Sequence, residues 1–542
     1  MDWNKLLSNQ RIRKSKPNDI RNQFESDYGR IIYSNALRRM HDKTQVFPLT
    51  TDDNIHSRLT HTNEVMSLGY TFGLKLSQSK LIQARTGKNE LELLRILPIL
   101  MQNACLIHDI GNAPFGHFGE TIVSDYFKEL NHKNFQGLDE RKKRDFFNYD
   151  GNAQGLRVLT KLQYLDNPFG LNLTYATLAT FLKYPNSDEI NDVEKDRLAN
   201  KGECLRDEFI EKSKHGVFFS EEDYFKKIIT ECGLTHNNRI IRHPLCYLME
   251  AADSIAYLCM DMEDGYHKGL VTILHIKEIF SKNKSTVSKA IVEICEDNTL
   301  HPTTQMVEIR IKLIGYFVKL AFDNFEDNLE KIETGNYNQE LIKNDVDKVH
   351  KIVATCCFSR IFLSRGINYL ESTGHAVFKG LLDFYINFLF NDNNNYVRRG
   401  KILVSKSIIE AAIDETLLEL CERKLNSESK RIEGKIIIFK SNLAESERLK
   451  EDQLKLESKQ LAFTNLKNEY SKLFDQQLKE ELSKEDQKQL RIIKKSIYEL
   501  IKPEFEDLDD YFKFRVILDF ISGMTDQFAL NHYQKLSGQK II

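Results

Sequence analysis

Apolar residues recur at three- and four-residue spacing along most of this chain, a period that predicts stacked amphipathic helices. The pattern runs from roughly residue 55 to 270 between short polar breaks. The most apolar long stretch, LELLRILPILMQNACLIHDIG, is interrupted by Arg95, Pro98, Gln102 and Asn103. Those breaks predict a buried helix, not a membrane span. DNPFGLNLTYATLATFLKYP reads as a loop, a helix and a stop at Pro185, and the polar residues 186–215 read as a surface excursion. A second helical block covers about 275 to 420. The periodicity then thins. ESERLKEDQLKLESKQLAFTNLKNEYSKLFDQQLKEELSKEDQKQL is charged and almost free of Gly and Pro, which predicts an exposed helical insertion, as a hairpin or a partner-binding coiled coil. FKFRVILDFISGMTDQFALNHYQKL returns to globular patterning. The chain thus divides into a helical core with its N-terminal segment (1–270), a further helical region (271–424), the charged insertion (425–500) and a C-terminal segment packing on the body (501–542).

Composition agrees with an all-α fold: 9 prolines among 542 residues, 41% hydrophobic and 29% charged. A net charge of -2 gives no global basic field directed at nucleic acid or membrane, and local basic patches remain open. The nine cysteines contain no CxxC pair and one adjacent pair, Cys356-Cys357, a pattern of reduced thiols in a cytoplasmic protein. MDWNKLLSNQRIRKSK is too polar for a secretory signal. No internal repeat and no Gly-rich phosphate loop stand out.

Chemistry gathers at CLIHDIGNAPFGHFGE. His108 and Asp109 fall in the last turn of the buried helix, with Gly111 suited to its C-cap and Pro114 shortly after. His117 and Glu120 lie three residues apart, close enough to couple on a helix. A His-Asp pair alone is more often a hydrogen-bonded couple than a metal site. Two more segments alter that balance. In SRLTHTNEV, His61 opens a periodic stretch with Arg58 one turn earlier. In MEAADSIAYLCMDMEDG, Asp253 sits on a small-residue, apolar face without a basic residue within a helical turn. A carboxylate there needs a partner, either a cation or an arginine from elsewhere.

This H…HD…D order resembles the HD-domain metal-dependent phosphohydrolases. RIIYSNALRRMHDKTQVFPL, SRLTHTNEV, HDIGNAPFGHFGE, GNAQGLRVL, FLKYP, MEAADSIAYLCMD and FISGMTDQFAL narrow the resemblance to the deoxyguanosine triphosphate triphosphohydrolase (dGTPase) family. It covers residues 1 to about 270 closely and returns near 365–385 and 515–533. The resemblance makes 1–270 the HD-type catalytic core and 271–424 the region completing the substrate pocket. It implies hydrolysis of dGTP to deoxyguanosine and inorganic triphosphate at the α-phosphorus. It also implies His61, His108, Asp109 and Asp253 as ligands of a divalent ion, with a mixed N/O donor set that suits Mn, Mg, Co or Fe. His117 and Glu120 become the catalytic pair, with His117 as base or as acid. Gln45, Arg58, Lys183, Tyr257 and Asp261 become substrate-binding residues. Asp253, Tyr257 and Asp261 recur at i, i+4, i+8 and share one helix face. Some relatives carry a His-Glu pair where this chain reads YDGNAQG, with Asn152, Ala153 and Gln154. That version matches the bacterial dGTP-preferring type.

Alternatives are a broad dNTP triphosphohydrolase, another HD phosphohydrolase, or a nucleotide-sensing binding protein. The resemblance further implies a homo-oligomer, up to a hexamer, permits single-stranded DNA as a regulator, and gives no role to a membrane.

Overall fold

The helix-period pattern becomes helices almost throughout this computed structural model, which describes all residues except 16–18, 51, 53, 164–167, 188–209, 439–442 and 541–542. In chain order the principal helices are α1 (Arg58–Gln78), α2 (Leu97–Ile107), α3 (Gly116–Glu129), α4 (Gly151–Thr160), α5 (Pro244–His267) and α6 (Pro302–Asp327). They continue as α7 (Arg365–Leu389), α8 (Lys406–Ile438), α9 (Leu443–Lys479), α10 (Lys484–Ile501), α11 (Asp510–Ser522) and α12 (Asp526–Leu536). Among the described residues the only sheet is an antiparallel ribbon of Thr235–His236 and Arg239–Ile240. The fold is all-α, as expected. No described helix is long and apolar enough to cross a membrane.

Helix α2 is buried on every side, from Leu97 and Leu100 through Ala104 to Ile107. A helix that is apolar all round belongs in a core. Its buried amide is half satisfied: Asn103 Nδ2 donates to the Phe24 carbonyl at 2.8 Å, while Oδ1 has no partner. Against it α1 presents Gly69 and Gly73, one turn apart. A Cβ on Gly73 would lie 2.3 Å from Pro98 Cα, and one on Gly69 would lie 2.4 Å from Cys105 Sγ. The missing side chains let the two backbones nearly touch, which fixes how His61 and His108 face each other.

Two apolar cores result. The first joins α1, α2, α5 and α6 and includes Val65, Leu106, Ile255 and Phe317. The second joins α3, α7, α8 and α11 and includes Val123, Phe378, Leu417 and Ile517. They interleave along the sequence: Ile110 still belongs to the first, whereas Ala113 already belongs to the second. The histidine-rich stretch is therefore the crossover between cores.

The charged segment forms α9 with the end of α8 and the start of α10. Lys467 pairs with Glu422 at 2.5 Å and Lys459 with Glu428 at 3.5 Å, so α8 and α9 run antiparallel. Leu449, Leu456 and Phe463 are buried at seven-residue intervals, the spacing of a coiled-coil seam. α10 folds back beside α8, with Lys494 Nζ 2.7 Å from Asp414. The expected surface excursion at 186–215 falls mainly outside the described residues. Its ends correct the expectation: Asn186, Ile210, Glu211 and His215 are buried, because Gly216 packs directly on the Tyr184 carbonyl.

A Gly73→Ala substitution should destabilise the protein by roughly 1–3 kcal/mol, since the atom it meets is backbone and cannot step aside. Thermal unfolding reads this as a lower midpoint; an unchanged midpoint would mean α1 and α2 are not held at this separation.

Candidate metal centre and catalytic pair

Ser57 caps α1 reciprocally with Thr60: Ser57 Oγ accepts the Thr60 N–H at 3.3 Å and Thr60 Oγ1 accepts the Ser57 N–H at 2.9 Å. The helix therefore starts at Arg58 and places His61 one turn in, fully buried, with Nε2 3.2 Å from Asp253 Oδ1. His108 caps the end of α2. Its Nδ1–H donates to the Cys105 carbonyl at 2.7 Å, which leaves the lone pair of a neutral ring on Nε2. That Nε2 is buried without a hydrogen-bond partner, 3.5 Å from Asp253 Oδ1 and 3.6 Å from Asp109 Oδ1. Ligand atoms of His61, His108 and Asp253 all lie within 4.8 Å of one another. A lone pair facing carboxylate oxygens is repulsive unless positive charge lies between them. Without a cation there, burial opposes charge on His108, yet Asp109 and Asp253 outweigh it and push the imidazole up to about 9, so a proton and a metal ion compete for Nε2. The donor set of two imidazoles and a carboxylate fits a divalent cation.

Two sequence expectations change. Gly111 is not the C-cap: α2 stops at Ile107, and Gly111 has no left-handed backbone. Its missing side chain serves close approach instead, since a Cβ would lie 2.1 Å from the Gly151 carbonyl oxygen and from the Gly155 nitrogen. Asp109 lies just past the helix and outside the three-residue cluster. Its Oδ1 accepts from Asn112 Nδ2 at 2.7 Å, and its Oδ2 is paired with Arg58. Beside His108 and Arg58, and against burial, the Asp109 carboxyl is held well below the usual range.

His117 and Glu120 occupy the first turns of α3. His117 Nδ1 is 3.1 Å from Glu120 Oε2; the imidazole is 77% exposed while the carboxylate is buried. A solvent-facing ring on a buried acid can reach a ligand without losing its partner. Glu120's charge and hydrogen bond raise the His117 pKa. Glu120 Oε1 accepts the Gly151 N–H at 3.2 Å, so the start of α4 fixes the acid. Asp150 caps α4, bonding the Asn152 backbone and side chain at 2.8 and 2.7 Å. Gln154 is buried between Asp519 and Arg515, at 3.0 and 2.8 Å. Asn152 and Gln154 thus order the segment.

Arg58, His61, His108, Asp109, Lys183 and Asp253 are joined in one network, because Lys183 Nζ lies 3.5 Å from Asp253 Oδ2 and 3.6 Å from Glu250 Oε1. Burial works against the Lys183 charge, but Glu250, Tyr184 and Asp253 hold its pKa well above the usual lysine range. Lys183 and the two histidines are thus the partners of Asp253 that its own helix lacks. Gln45 lies on the strip paired to the start of α1 (Thr44 bridges Ser57), with Oε1 buried and unbonded. Tyr257 stacks on Phe362 of a π-helical turn, Phe358–Phe362, with centroids 6.0 Å apart. Asp261 is buried with Oδ2 unbonded; burial and nearby Asp264 raise its pKa well above normal.

Two features escaped the sequence reading. Lys214 Nζ lies 2.8 Å from Asp150 Oδ2, near enough to Glu120 and His117 for their charges to be felt. It follows 188–209, with no periodic pattern to mark it. His56 Nδ1 lies 2.7 Å from Asp264 Oδ1 and its Nε2 3.1 Å from Glu64 Oε1. The signal was HSRLTHTNE, where His56 precedes Glu64 by two helical turns, but Asp264 is distant in sequence. Against burial, Asp264 and Glu64 push His56 up to about 10. A folded pKa above the ordinary value of 6.5 means stability fully present below that value and lost as pH rises through about 10. The thermal midpoint of His56→Ala should lie below wild type at pH 7, and the gap should close as pH approaches 10. A pH-independent gap would refute a charged His56.

Residues 478–535 match the family described as phosphohydrolase-associated domain. A deoxyguanosinetriphosphate triphosphohydrolase-like protein of Listeria monocytogenes is 34% identical over 410 residues, covering 71% of this chain and 84% of that protein. One of Synechocystis is 32% identical over 403 residues, covering 72% and 87%. A deoxyguanosinetriphosphate triphosphohydrolase of Enterobacter sp. is 29% identical over 428 residues, covering 71% and 80%. The likeness thus spans most of each relative: this chain belongs to the deoxyguanosinetriphosphate triphosphohydrolase family of HD-domain proteins.

Proposed function

We propose that this protein hydrolyses dGTP to deoxyguanosine and inorganic triphosphate by water attack at the α-phosphorus. The observation that carries the reading is the buried, unbonded Nε2 of His108, beside His61 Nε2 and Asp253 Oδ1, within reach of carboxylates that need a cation. The relatives' names support the substrate.

His61, His108 and Asp253 would hold a divalent ion (Mn, Mg, Co or Fe), with Asp109 as the fourth ligand. When bound, that ion supplies Lewis-acid neutralisation of phosphate charge. Asp109 turns Oδ1 toward His108 while Arg58 holds Oδ2, and a triphosphate oxygen is a natural further partner for that guanidinium. Lys183 and Lys214 add point charges for the remaining phosphate oxygens. His117 is the group that exchanges a proton at the reacting phosphate, and Glu120, anchored by Gly151, keeps the ring oriented. Gln45 and Asp261 offer hydrogen bonds to the sugar hydroxyl. Tyr257, backed by Phe362, forms a wall that crowds a 2'-hydroxyl and so favours a deoxyribonucleotide.

The test supplies wild-type protein with Mn2+ and each of the four deoxynucleotides, and identifies products. Triphosphate and nucleoside from dGTP are expected; pyrophosphate or single phosphates would reject the reaction. Equal rates on all four would replace dGTP preference by a broad dNTP triphosphohydrolase. His117→Ala should lower kcat by roughly 10²–10⁴-fold with Mn2+ affinity retained, whereas His108→Ala should lose both.

A further inference from the structure

The segment carrying His117 and Glu120 enters its helix through a backbone that few side chains accept. Phe115 is left-handed, with φ 60° and ψ 17°, and Gly116 follows at φ 63°. A bulky residue in that region is a steric outlier, and such outliers persist only where their surroundings over-determine them. Here the determining group is one carboxylate. Asp526 Oδ1 accepts the Phe115 N–H at 3.0 Å, across 411 residues of sequence. Asp526 Oδ2 accepts the Thr44 N–H at 3.0 Å and the Thr44 hydroxyl as well. Asp526 is 2% exposed and stands in the first turn of α12, where the helix dipole favours an anion.

The ring of Phe115 meets Phe378 edge-on with centroids 6.4 Å apart, and a Cβ on Gly374 would lie 2.9 Å from it. Beside this clamp the buried Lys43 donates from Nζ to the carbonyls of Asn112 and Ser522. Both ties therefore join the strip 43–45 and the crossover 112–116 to the C-terminal helices. They act where the chain passes between cores, a seam that apolar packing alone leaves free to slide.

We propose that Asp526 is a positioning residue for the reaction, holding the His117–Glu120 pair and Gln45 in register through the backbones of Phe115 and Thr44. The proposal rests on the reading of the site given above. It assigns a physical task to the segment 478–535: the C-terminal helices close the site from behind rather than contributing a ligand to it.

Asp526→Asn preserves shape but keeps a single acceptor oxygen, so it can serve the Phe115 N–H or the Thr44 N–H, not both. In the full chain with Mn2+ we expect kcat for dGTP to fall about ten-fold or more, because small misplacement of a proton-transfer group is costly. Mn2+ affinity by calorimetry should stay within about two-fold, since the ligand helices lie in the other core. Deuterium uptake should be about ten-fold faster in the peptide spanning 110–118 or in that spanning 42–46, according to whether the Phe115 or the Thr44 amide loses its acceptor. Phe115→Gly in the Asp526→Asn background should raise kcat about three-fold or more, because glycine takes the left-handed backbone without help. Thr44→Val removes a single donor and keeps the test should the Asn variant fail to fold: KM should rise about three-fold with kcat little changed. A kcat within about two-fold of wild type, unchanged uptake in both peptides, Mn2+ affinity falling together with kcat, no recovery from Phe115→Gly when uptake at 110–118 has risen, or an unmoved KM in Thr44→Val would each overturn the positioning role. Inactivity of the wild-type chain on dGTP would instead overturn the reaction, while the exchange measurements would still judge the clamp.

Discussion

The Nε2 of His108 has no hydrogen-bond partner, lies beside two carboxylates, and cannot turn away because its Nδ1 is committed to the Cys105 carbonyl. Much of the structure exists to hold that atom there. Gly69 and Gly73 allow α1 to lie on α2, which brings His61 beside His108, their ring centroids 5.5 Å apart. The small residues around Asp253, Ala251, Ala252 and Ala256, let α5 close the third side. A buried polar atom with unmet valence is costly in an ordinary core. Its persistence together with an unbonded His61 Nδ1 marks a region arranged around charge rather than around packing.

The division of labour follows the two cores. The first supplies the ligand-type side chains; the second supplies α3, with His117 and Glu120. Because the chain crosses between them within a few residues, relative placement of the two sets depends on polar ties instead of apolar contact. Gly151 holds Glu120, and α4 is itself pinned by Arg157, whose guanidinium meets Asp519 at 2.8 Å, Glu221 at 2.9 Å and Glu415 at 3.0 Å. Those carboxylates come from α11, from the turn Phe219–Glu221 and from α8. Helices α8 and α11 are thus wired to the segment that holds Glu120 through one buried arginine, and removing a single partner would leave an uncompensated charge in the interior.

What the sequence made legible was whatever is local or repeats with a helical period. His61, His108, Asp253 and the His117–Glu120 pair stood out because spacing puts each on a definite helix face and small apolar neighbours betray burial. The end of α2 was misjudged because glycine after a helix usually signals a left-handed cap, whereas Gly111 answers to Gly155 some forty positions on, a contact no local rule contains. Asp109 was placed with the other ligands by resemblance, and its pairing with Arg58 shows only in three dimensions. Lys214, the His56–Asp264 contact and Asp526 were illegible for the same reason: each meets its partner across a long separation, and none sits in a periodic pattern. The charged segment was half legible. Its seven-residue seam was present in Leu449, Leu456 and Phe463, but so many charges intervene that composition concealed it.

Arg58 connects these themes. It lies one turn before His61 on α1, is buried, and spends its charge on Asp109. A guanidinium cannot lose its proton, so a buried Arg58 must always face an anion. Asp109, in turn, is held ionised and must always face a cation. The pair is therefore stable as it stands and also exchangeable, provided that a new anion and a new cation arrive together. On the function proposed above, a nucleoside triphosphate with its divalent ion would be such a couple.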